Sequence, residues 1–386
     1  MTRASDLARL MGAGGSLSGA LSVDTISEKT SGSGVTIDSL NVKDGGIGGH
    51  QIGGRRNIII NGGMQVAQRG TSSTSSAYAS VDRFAVSSGN LDNLAFTQAQ
   101  VADAPDDSGL EKSFKFTVTT AESALSAGEF LRIYHPLEGQ DIQQFKWGTS
   151  SGEQVTVSFF VKSSITGTFA CSIYIFDANV IMNKPYTISS ANTWEQKTLT
   201  FPAYTAGGSK VPANDNTAGI YLQWGLLAGS SYNTLVTDWT AYGNGESLLG
   251  GQTANVGAVN STTWQITGVQ LEVGSQATPF EHRSFGEELA LCQRYFEHDD
   301  SEGSDNYRFS MNKGTTSASY YFALPYCVTK RAKPTATVTQ AYSDNFVLSA
   351  HSGSSGRGHM GLVSTASGST DTRALFEFTW TADAEL

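Results

Sequence analysis

Strict alternation of apolar and polar residues runs through the middle of the chain and constrains its fold more than any other feature. The segments SFKFTVTT, VTVSFFVKSS and FACSIYIFDA each place apolar side chains at every second position. Side chains on a strand point alternately to its two faces, so this spacing predicts strands with one buried face. The predicted inward side chains are Phe114, Phe116 and Val118, then Val155, Val157, Phe159 and Val161, then Phe169, Cys171, Ile173 and Ile175.

Later segments repeat the alternation and extend the same architecture. WEQKTLTFPAY, AGIYLQWGLLAG and WQITGVQLEVG are separated by clusters of Gly, Ser, Asn and Asp. Together they supply enough aromatic and aliphatic side chains for two facing sheets, with Trp224 and Trp264 in the core. The chain has 42 glycines in 386 residues and only 16% charged residues, which favours turn-rich β structure. We predict a jelly-roll β-sandwich over residues 55–283, with period-two segments beginning at Asn57.

Residues 1–54 carry too little apolar surface to fold as an isolated unit. Between glycines lie two short apolar pairs, Val35 with Ile37 and Leu40 with Val42, and the buried face switches between them near Asp38 and Ser39. Strands of this size are marginal in water. Composition alone fits a disordered linker. The alternative is an intertwined stem in which three parallel copies supply one another's missing core.

A single helix is predicted after the sandwich, over residues 284–299, where it links to a further domain. Ser284 and Glu287 in RSFGEELALCQRYFE have the spacing of a capping box. Its apolar residues at helical spacing are Phe285, Leu289, Cys292 and Phe296.

Residues 300–386 are predicted to form a small C-terminal β-domain. YRFSMN, SASYYFALPYCV, TATVTQ and ALFEFTWTADAEL are typical of strands, with Trp380 in the core, and HSGSSGRGHMG is typical of a loop. The predicted fold class is therefore mostly β. In chain order it comprises a trimeric stem, a jelly-roll sandwich, one linking helix and a distal β-domain.

Charge and cysteine usage exclude several classes of partner. With 25 basic and 35 acidic residues the net charge is −10, which argues against a nucleic acid partner. The three cysteines lack the spacing of a disulfide framework or zinc site, and the six histidines are scattered. No segment has the length of a membrane span or resembles a signal peptide, so we expect synthesis in a cytoplasm and no membrane insertion.

Motifs that suggest catalysis do not have the structural context that they require. Gly148, Ser150 and Gly152 fit G-x-S-x-G but run into a predicted strand instead of a helix. The G-x-G-x-x-G match that begins at Gly356 is likewise not followed by a helix. The carboxylates Glu129, Glu138 and Asp141 cannot be paired from sequence alone. We therefore assign no catalytic residue, no cofactor and no metal ligand, and expect no enzyme activity.

One asparagine- and aspartate-rich segment is open to two interpretations. VPANDNTAG offers oxygen ligands in Asn214, Asp215 and Asn216 that suit a structural Ca²⁺. The segment lacks EF-hand spacing, which favours an ordinary turn over a Ca²⁺ site.

Candidate binding residues lie in the terminal domain. Tyrosine beside serine and glycine is typical of adaptable recognition surfaces. The candidates are Tyr320, Tyr326, Tyr342, His351 and His359. Tyr320 and Tyr321 must point to opposite faces of their strand, so one of the two belongs to the core.

Three stretches resemble proteins of bacteriophage particles. DTISEKTSGSGVTIDSLNVKDGG resembles a segment of structural proteins of marine and freshwater phages. RRNIIINGGMQVAQRGTS, continuing to YASVDRFAV, is similar to the start of the jelly-roll domain of phage tail fibres. WQITGVQLEVGSQATPFEHRSFGEELALCQRYFE is similar to the end of that domain and its following helix. The chain has Met64 and Ala67 where the family pattern often has aromatic residues.

The resemblance implies a homotrimeric virion fibre. Its N-terminal region would attach to a phage tail or capsid protein, its body would be related in shape to carbohydrate-binding modules, and its distal domain would touch the host. The first hypothesis is a non-enzymatic tail fibre that binds a host surface glycan. The second is a capsid fibre, decoration or connector protein with a purely structural role. The third is a polysaccharide depolymerase. The expected location is the virion, on the tail or the capsid surface.

Overall fold

The chain forms two compact units, Met1–Gly54 and Arg55–Leu386. The computed structural model describes residues 35–37, 40–43, 46–47, 50–51, 55–206, 211–243, 245–299, 307–312, 319–344, 346–350, 355–366 and 373–386.

The first unit contains a four-stranded antiparallel sheet. Its strands, in sheet order, are β1 (Val35–Ile37), β2 (Leu40–Lys43), β3 (Gly46–Ile47) and β4 (His50–Gln51). Val35 lies opposite Val42, and Ile37 lies opposite Leu40, so the two predicted strands pair with each other. Asp38 and Ser39, where we predicted the change of face, lie outside the described residues. Trimeric association of this unit stays a prediction.

The second unit begins with a β-sandwich of two six-stranded antiparallel sheets. Its strands are β5 (Ser72–Ser73), β6 (Ala85–Gly89), β7 (Ala95–Val101), β8 (Ser113–Thr120), β9 (Phe130–Glu138), β10 (Val155–Ser163), β11 (Gly167–Phe169), β12 (Cys171–Ile175), β13 (Val180–Asn183), β14 (Tyr186–Ile188), β15 (Glu195–Phe201), β16 (Ala218–Ala228), β17 (Thr240–Ala241) and β18 (Thr263–Val273). The first sheet has the order β15-β10-β18-β8-β7-β5, and the second has the order β17-β13-β12-β16-β9-β6. The chain passes repeatedly between the sheets, as in a jelly roll.

Short additional elements complete the sandwich. Strands β11 and β14 pair separately from the two large sheets. The described part of the sandwich also contains 3₁₀ helices at Gly139–Phe145, Ser230–Tyr232 and Val256–Ala258.

The core lies between the two sheets and confirms the alternation seen in the sequence. The predicted inward residues of β8, β10 and β11–β12 are all buried. Trp224 and Trp264 are buried among them. Burial of a large apolar side chain stabilises the fold by roughly 1.5–3 kcal/mol, so this shared interior specifies the register of both sheets.

The segment that starts the sandwich is extended but is not a regular strand. Asn57 Nδ2 donates to the carbonyl of Val269 at 3.0 Å, and the Leu271 amide donates to Asn57 Oδ1 at 3.1 Å. The Ile58 amide also donates to the carbonyl of Leu271. The asparagine side chain thus takes the place of backbone pairing beside β18, and the first regular strand of the sandwich is β5.

A β-bulge in β18 makes this contact possible. The register between β10 and β18 shifts between Ser158 and Phe160, and Gly268 opposite this shift has φ +61°. The bulge leaves the Val269 amide free to donate to the carbonyl of Gly62 at 2.9 Å. Bulges of this kind use a glycine in the left-handed conformation, where a side chain is strained.

The predicted helix is present but shorter than residues 284–299. Helix α1 is Phe285–Gln293, and its N-cap Ser284 Oγ accepts a hydrogen bond from the Glu287 amide at 3.3 Å. The helix ends because Phe296–His298 forms strand β19, which pairs with residues near the end of the chain. Phe285, one of the apolar residues at helical spacing, is exposed.

The terminal domain contains two antiparallel sheets. Its further strands are β20 (Tyr307–Asn312), β21 (Ser319–Pro325), β22 (Thr335–Asp344), β23 (Phe346–Ala350), β24 (His359–Ala366) and β25 (Arg373–Asp383). In one sheet β25 pairs with β19, β20 and β22, and the other has the order β21-β24-β23. Trp380 lies in the core, as predicted. The predicted loop of residues 351–361 ends earlier than expected, because β24 already begins at His359.

Buried ion pairs join the terminal domain to the sandwich. Arg83, which is fully buried, forms an ion pair with Glu385, and its guanidinium lies 3.4 Å from the centre of the Tyr295 ring. Glu138, also fully buried, accepts two hydrogen bonds of 2.8 Å from Arg294 and one of 2.6 Å from Tyr295. These contacts hold the terminal domain in one orientation on the sandwich.

Candidate functional site

An aromatic surface crosses the outer side of the second sheet. We call it the tyrosine face, and its rings are those of Tyr78, Tyr134, Tyr174, Tyr221 and Tyr242. Each of these side chains is partly exposed. Phe176, next to β12, adds an exposed ring.

The rings form a continuous series. The ring centres of Tyr78 and Tyr134 are 6.2 Å apart, those of Tyr134 and Tyr221 are 5.4 Å apart, and those of Tyr221 and Tyr174 are 6.1 Å apart. Tyr242 lies 4.8 Å from Tyr174. These distances place the rings of Tyr134 and Tyr242, at the two ends of the part of the series that crosses from β9 to β17, at most about 16 Å apart.

Strand alternation and register place these tyrosines together. On β12, Ile173 and Ile175 point into the core, so Tyr174 between them points outward. Tyr174 lies directly opposite Tyr221 on β16. Tyr134 lies on β9 opposite Gln223, two residues from Tyr221 along β16, which brings the two rings into contact.

Hydrogen bonds fix one end of the tyrosine face. The Tyr174 hydroxyl donates to Asn179 Oδ1 at 2.9 Å, and Asn179 Nδ2 donates to the carbonyl of Tyr242 at 3.0 Å. The Tyr242 amide donates in turn to the carbonyl of Asn179. The rings are therefore pre-oriented, which lowers the entropy lost when a ligand binds.

Burial favours the neutral form of the hydroxyls of the face. Desolvation raises the pKa of Tyr174, Tyr221 and Tyr242, neighbouring tyrosines raise all three further, and Arg132 partly offsets the rise at Tyr221 and Tyr242. At neutral pH these phenols keep their proton, which Tyr174 already donates to Asn179, and each hydroxyl oxygen can accept a hydrogen bond.

Arg132 is the cation beside the tyrosine face. Its guanidinium carbon lies 5.0 Å from the centre of the Tyr134 ring and 5.8 Å from that of Phe130. Its Nη1 donates to Gln223 Oε1, while its Nε is buried without a hydrogen-bond partner. Burial lowers the pKa of Arg132, and the nearby tyrosines partly offset this effect.

The tyrosines predicted as binding residues do not form such a surface. Tyr326 is buried, its ring centre lies 5.8 Å from that of Trp380, and burial raises its pKa to about 12. Tyr320 shares the face of β21 with Phe322 and Leu324, which pack against the core. The exposed residue of the Tyr320–Tyr321 pair is Tyr321, because its side chain points away from that core.

The remaining predicted residues are not brought together in the described part of the chain. Tyr342 lies on β22 opposite Glu377. His359 is exposed on β24 opposite Pro325, whereas Tyr320 lies opposite Ser364, five residues further along the same strand pair. His351 lies outside the described residues.

The other candidate groups have structural roles. Asp215 Oδ1 accepts hydrogen bonds from the amide and hydroxyl of Thr217, and Asn216 Nδ2 donates to the carbonyl of Arg331. The segment is therefore a turn that contacts the terminal domain. Among the described residues, no three His, Cys, Asp or Glu side chains are grouped to hold a metal ion.

Two more predictions can be compared with the structure, one on Met64 and Ala67 and one on membrane-spanning helices. Met64 is fully buried and Ala67 is half-buried, so neither provides a ligand platform. None of the helices in the described part of the chain has the length and apolar character needed to cross a membrane.

The tyrosine face was not predicted, although the sequence contains a signal for it. FLRIYHPLE, CSIYIF and AGIYLQW each carry a tyrosine in the phase opposite to the core residues. Alternation predicts that these tyrosines point outward. It does not predict that β9, β16 and β12 are neighbours, and this adjacency is what makes one surface of them.

Comparison with known proteins gives similarity of fold only. No protein-family model and no curated protein sequence matches the chain. The enzymatically active domain of tailspike protein 4 of bacteriophage CBA120 is similar over 56% of this chain and 21% of that chain, with 13% identity and a TM-score of 0.32. A family 11 carbohydrate-binding module from Clostridium thermocellum, in complex with a β-1,3-1,4-mixed-linked tetrasaccharide, is similar over 54% of this chain and 98% of that chain. Its identity is 10% and its TM-score is 0.28.

A family 22 carbohydrate-binding module of Clostridium thermocellum gives a comparable result. It is similar over 54% of this chain and 97% of that chain, with 12% identity and a TM-score of 0.26. The functional proposal for this chain therefore rests on its own residues.

Proposed function

We propose that this chain is a non-enzymatic virion fibre protein that attaches a phage to its host by binding a surface glycan through the tyrosine face. The observation that carries the proposal is the continuous series of partly exposed rings from Tyr134 to Tyr242. Flat rings stack on the C–H faces of sugars, while phenol hydroxyls hydrogen-bond to sugar hydroxyls. A series of up to about 16 Å suits an oligosaccharide better than a single sugar.

The proposed fibre is a homotrimer held by its N-terminal unit. Support comes from the resemblance of residues 24–46 to phage structural proteins and from the very short strands of that unit. Three copies raise the effective concentration of a weak sugar contact, so the fibre binds a cell far more tightly than one site does. Attachment of the N-terminal region to a tail or capsid protein belongs to the same proposal.

The test is binding of purified full-length protein to host cells and to an array of bacterial surface glycans. We expect the double variant Tyr174→Ala/Tyr221→Ala to bind at least tenfold more weakly, because two stacking rings are lost. The matched control is Tyr321→Ala, which removes an exposed tyrosine from the terminal domain. Thermal unfolding of all three proteins checks that the fold is intact.

The outcomes distinguish the competing functions. Loss of binding in Tyr321→Ala but not in the double variant would assign attachment to the terminal domain. A wild-type protein that binds neither cells nor glycans would favour a purely structural fibre. Shortened glycan chains after incubation would indicate a depolymerase. Sedimentation of the full-length protein as a monomer would contradict the trimeric fibre.

A further inference from the structure

We infer that the glycan bound by the tyrosine face is acidic and that Arg132 binds its carboxylate. This inference rests on the proposed function and adds the chemical class of the ligand. It starts from a difference between the part-buried Arg132 and three other arginines of the same unit.

Three other shielded arginines of this unit have a carboxylate partner, whereas the part-buried Arg331 donates to backbone carbonyls. Arg83 pairs with Glu385, and Arg294 pairs with Glu138 at 2.8 Å. Arg283 pairs with Glu288 at 3.3 Å. In the part of the chain that the structure describes, no carboxylate lies within ion-pair distance of Arg132, and its hydrogen-bond partner is the neutral amide of Gln223.

The surroundings of Arg132 compensate its charge only in part. The groups that raise its pKa are Tyr134, Tyr242 and Tyr221, all members of the tyrosine face. A cation over an aromatic ring gains less free energy than the removal of a charge from water costs. A part-buried guanidinium beside neutral phenols therefore remains short of a counter-charge.

The unpaired atoms of Arg132 indicate which kind of group supplies that charge. Only Nη1 has a hydrogen-bond partner among the described residues; Nε lacks one but is buried, so Nη2 is the unpaired donor offered to a ligand. The planar guanidinium matches the two coplanar oxygens of a carboxylate, and such charge-assisted hydrogen bonds are about twice as strong as neutral ones. Uronic and sialic acid residues present this group on a ring that the neighbouring tyrosines can stack against.

Gln223 holds Arg132 in this position. Gln223 is fully buried, and its Nε2 donates to the carbonyl of Leu248 at 3.0 Å, so its Oε1 is directed toward Arg132. Tyr232, whose ring centre is 4.8 Å from that of Phe130, lies on the segment that covers this end of the sheet. The guanidinium is thus fixed between this covering segment and the tyrosines.

The experiment measures binding of the full-length protein to an array of uronate- and sialate-containing glycans, together with the same glycans after reduction of their carboxyl groups. We expect carboxyl reduction to weaken binding at least tenfold, and raising the salt concentration to weaken it further. Arg132→Gln should show the same loss, and Arg132→Lys should retain part of the binding. Lys146→Gln, an exposed cation elsewhere on the sandwich, is the matched control for loss of charge.

The outcomes separate this inference from the proposed function. Equal binding of native and carboxyl-reduced glycans, or unchanged binding by Arg132→Gln, would overturn the inference. In either case, the proposed function would stand if the double variant Tyr174→Ala/Tyr221→Ala no longer bound the glycans. If the full-length protein bound only neutral or sulfated glycans, the inference would also be overturned. If it bound no glycan, both the inference and the proposed function would be overturned. Thermal unfolding checks the fold of Arg132→Gln, which is not expected to be destabilised because it removes an unpaired charge.

Discussion

Asp82 is the residue whose protonation couples most directly to folding. It is buried, and desolvation raises its pKa to about 6 against the effects of the Gln68 hydrogen bonds and Arg69. Its Oδ1 accepts from the Gln68 amide at 2.9 Å. Because the folded chain binds this proton more tightly than the unfolded chain, the contribution of Asp82 to stability falls as the pH rises from about 4 to about 6.

The variant Asp82→Asn tests this coupling. Between pH 4 and pH 7, we expect the wild type to lose on the order of 3 kcal/mol of unfolding free energy relative to the variant, because a difference of one pKa unit corresponds to about 1.4 kcal/mol. Urea unfolding of both proteins at several pH values measures this difference in unfolding free energy. Asp106→Asn, at an exposed position, is the control. Parallel pH profiles of the wild type and Asp82→Asn would contradict the assignment.

At the residue scale, the sequence predicted which side chains point inward but not which outward side chains meet on one surface. Period-two spacing identified Phe159 and Ile173 as core because burial depends mainly on the phase of a single strand. The proposed role of Tyr174 depends on a second strand, β16, that pairs with β12 across more than forty residues of intervening chain. Such a pairing leaves no local mark in the sequence.

Elements of secondary structure were predicted where a local signal sets them. The capping box set the start of α1 at Ser284, and the hydrogen bond to the Glu287 amide confirms it. Its end was placed too late because β19 pairs with β25, about eighty residues further on. The bulge at Gly268 was also missed, because its cause lies in the Asn57 and Gly62 contacts with β18.

Two glycine substitutions test the role of the bulge. A Cβ at Gly268 would lie 2.8 Å from Leu110 Cδ1 and 2.9 Å from Phe160 Cδ2, and φ is positive there. We expect Gly268→Ala to lower the unfolding free energy by about 1–3 kcal/mol. Gly286→Ala in helix α1 meets no atom within 4 Å and should raise it by about 0.5–1 kcal/mol. Chemical denaturation measures the unfolding free energy of both variants. Equal effects of the two substitutions would contradict the inference that a side chain is strained at Gly268.

At the scale of the whole molecule, ion pairs connect the sandwich directly to the terminal domain. Arg69 adds to the Arg83 pair, with its Nη2 3.0 Å from Asp383 and its Nη1 3.3 Å from Glu385. A force applied at the terminal domain therefore passes into the sandwich without a flexible linker. We expect a single cooperative unfolding transition for residues 55–386.

The variant Glu385→Gln tests the junction. It leaves Arg83 buried without a counter-charge, so we expect a loss of about 3–5 kcal/mol of unfolding free energy. Adding Arg83→Met should recover part of this loss, because the unpaired charge is then removed. Glu246→Gln, at an exposed position, is the control. A second, separate unfolding transition in the wild type would show that the junction is weaker than its contacts indicate.

The central place of β25 has a consequence for synthesis on the ribosome. Strands β19, β20 and β22 all pair with β25, and Glu385 follows it, yet these residues are translated after every one of their partners. Until they emerge, the nascent sandwich contains Arg83 without its counter-charge and three strands without their common neighbour. The terminal sheet therefore cannot be completed until residues 373–383 have been translated, and a chain interrupted before residue 373 would expose unpaired strand edges to aggregation.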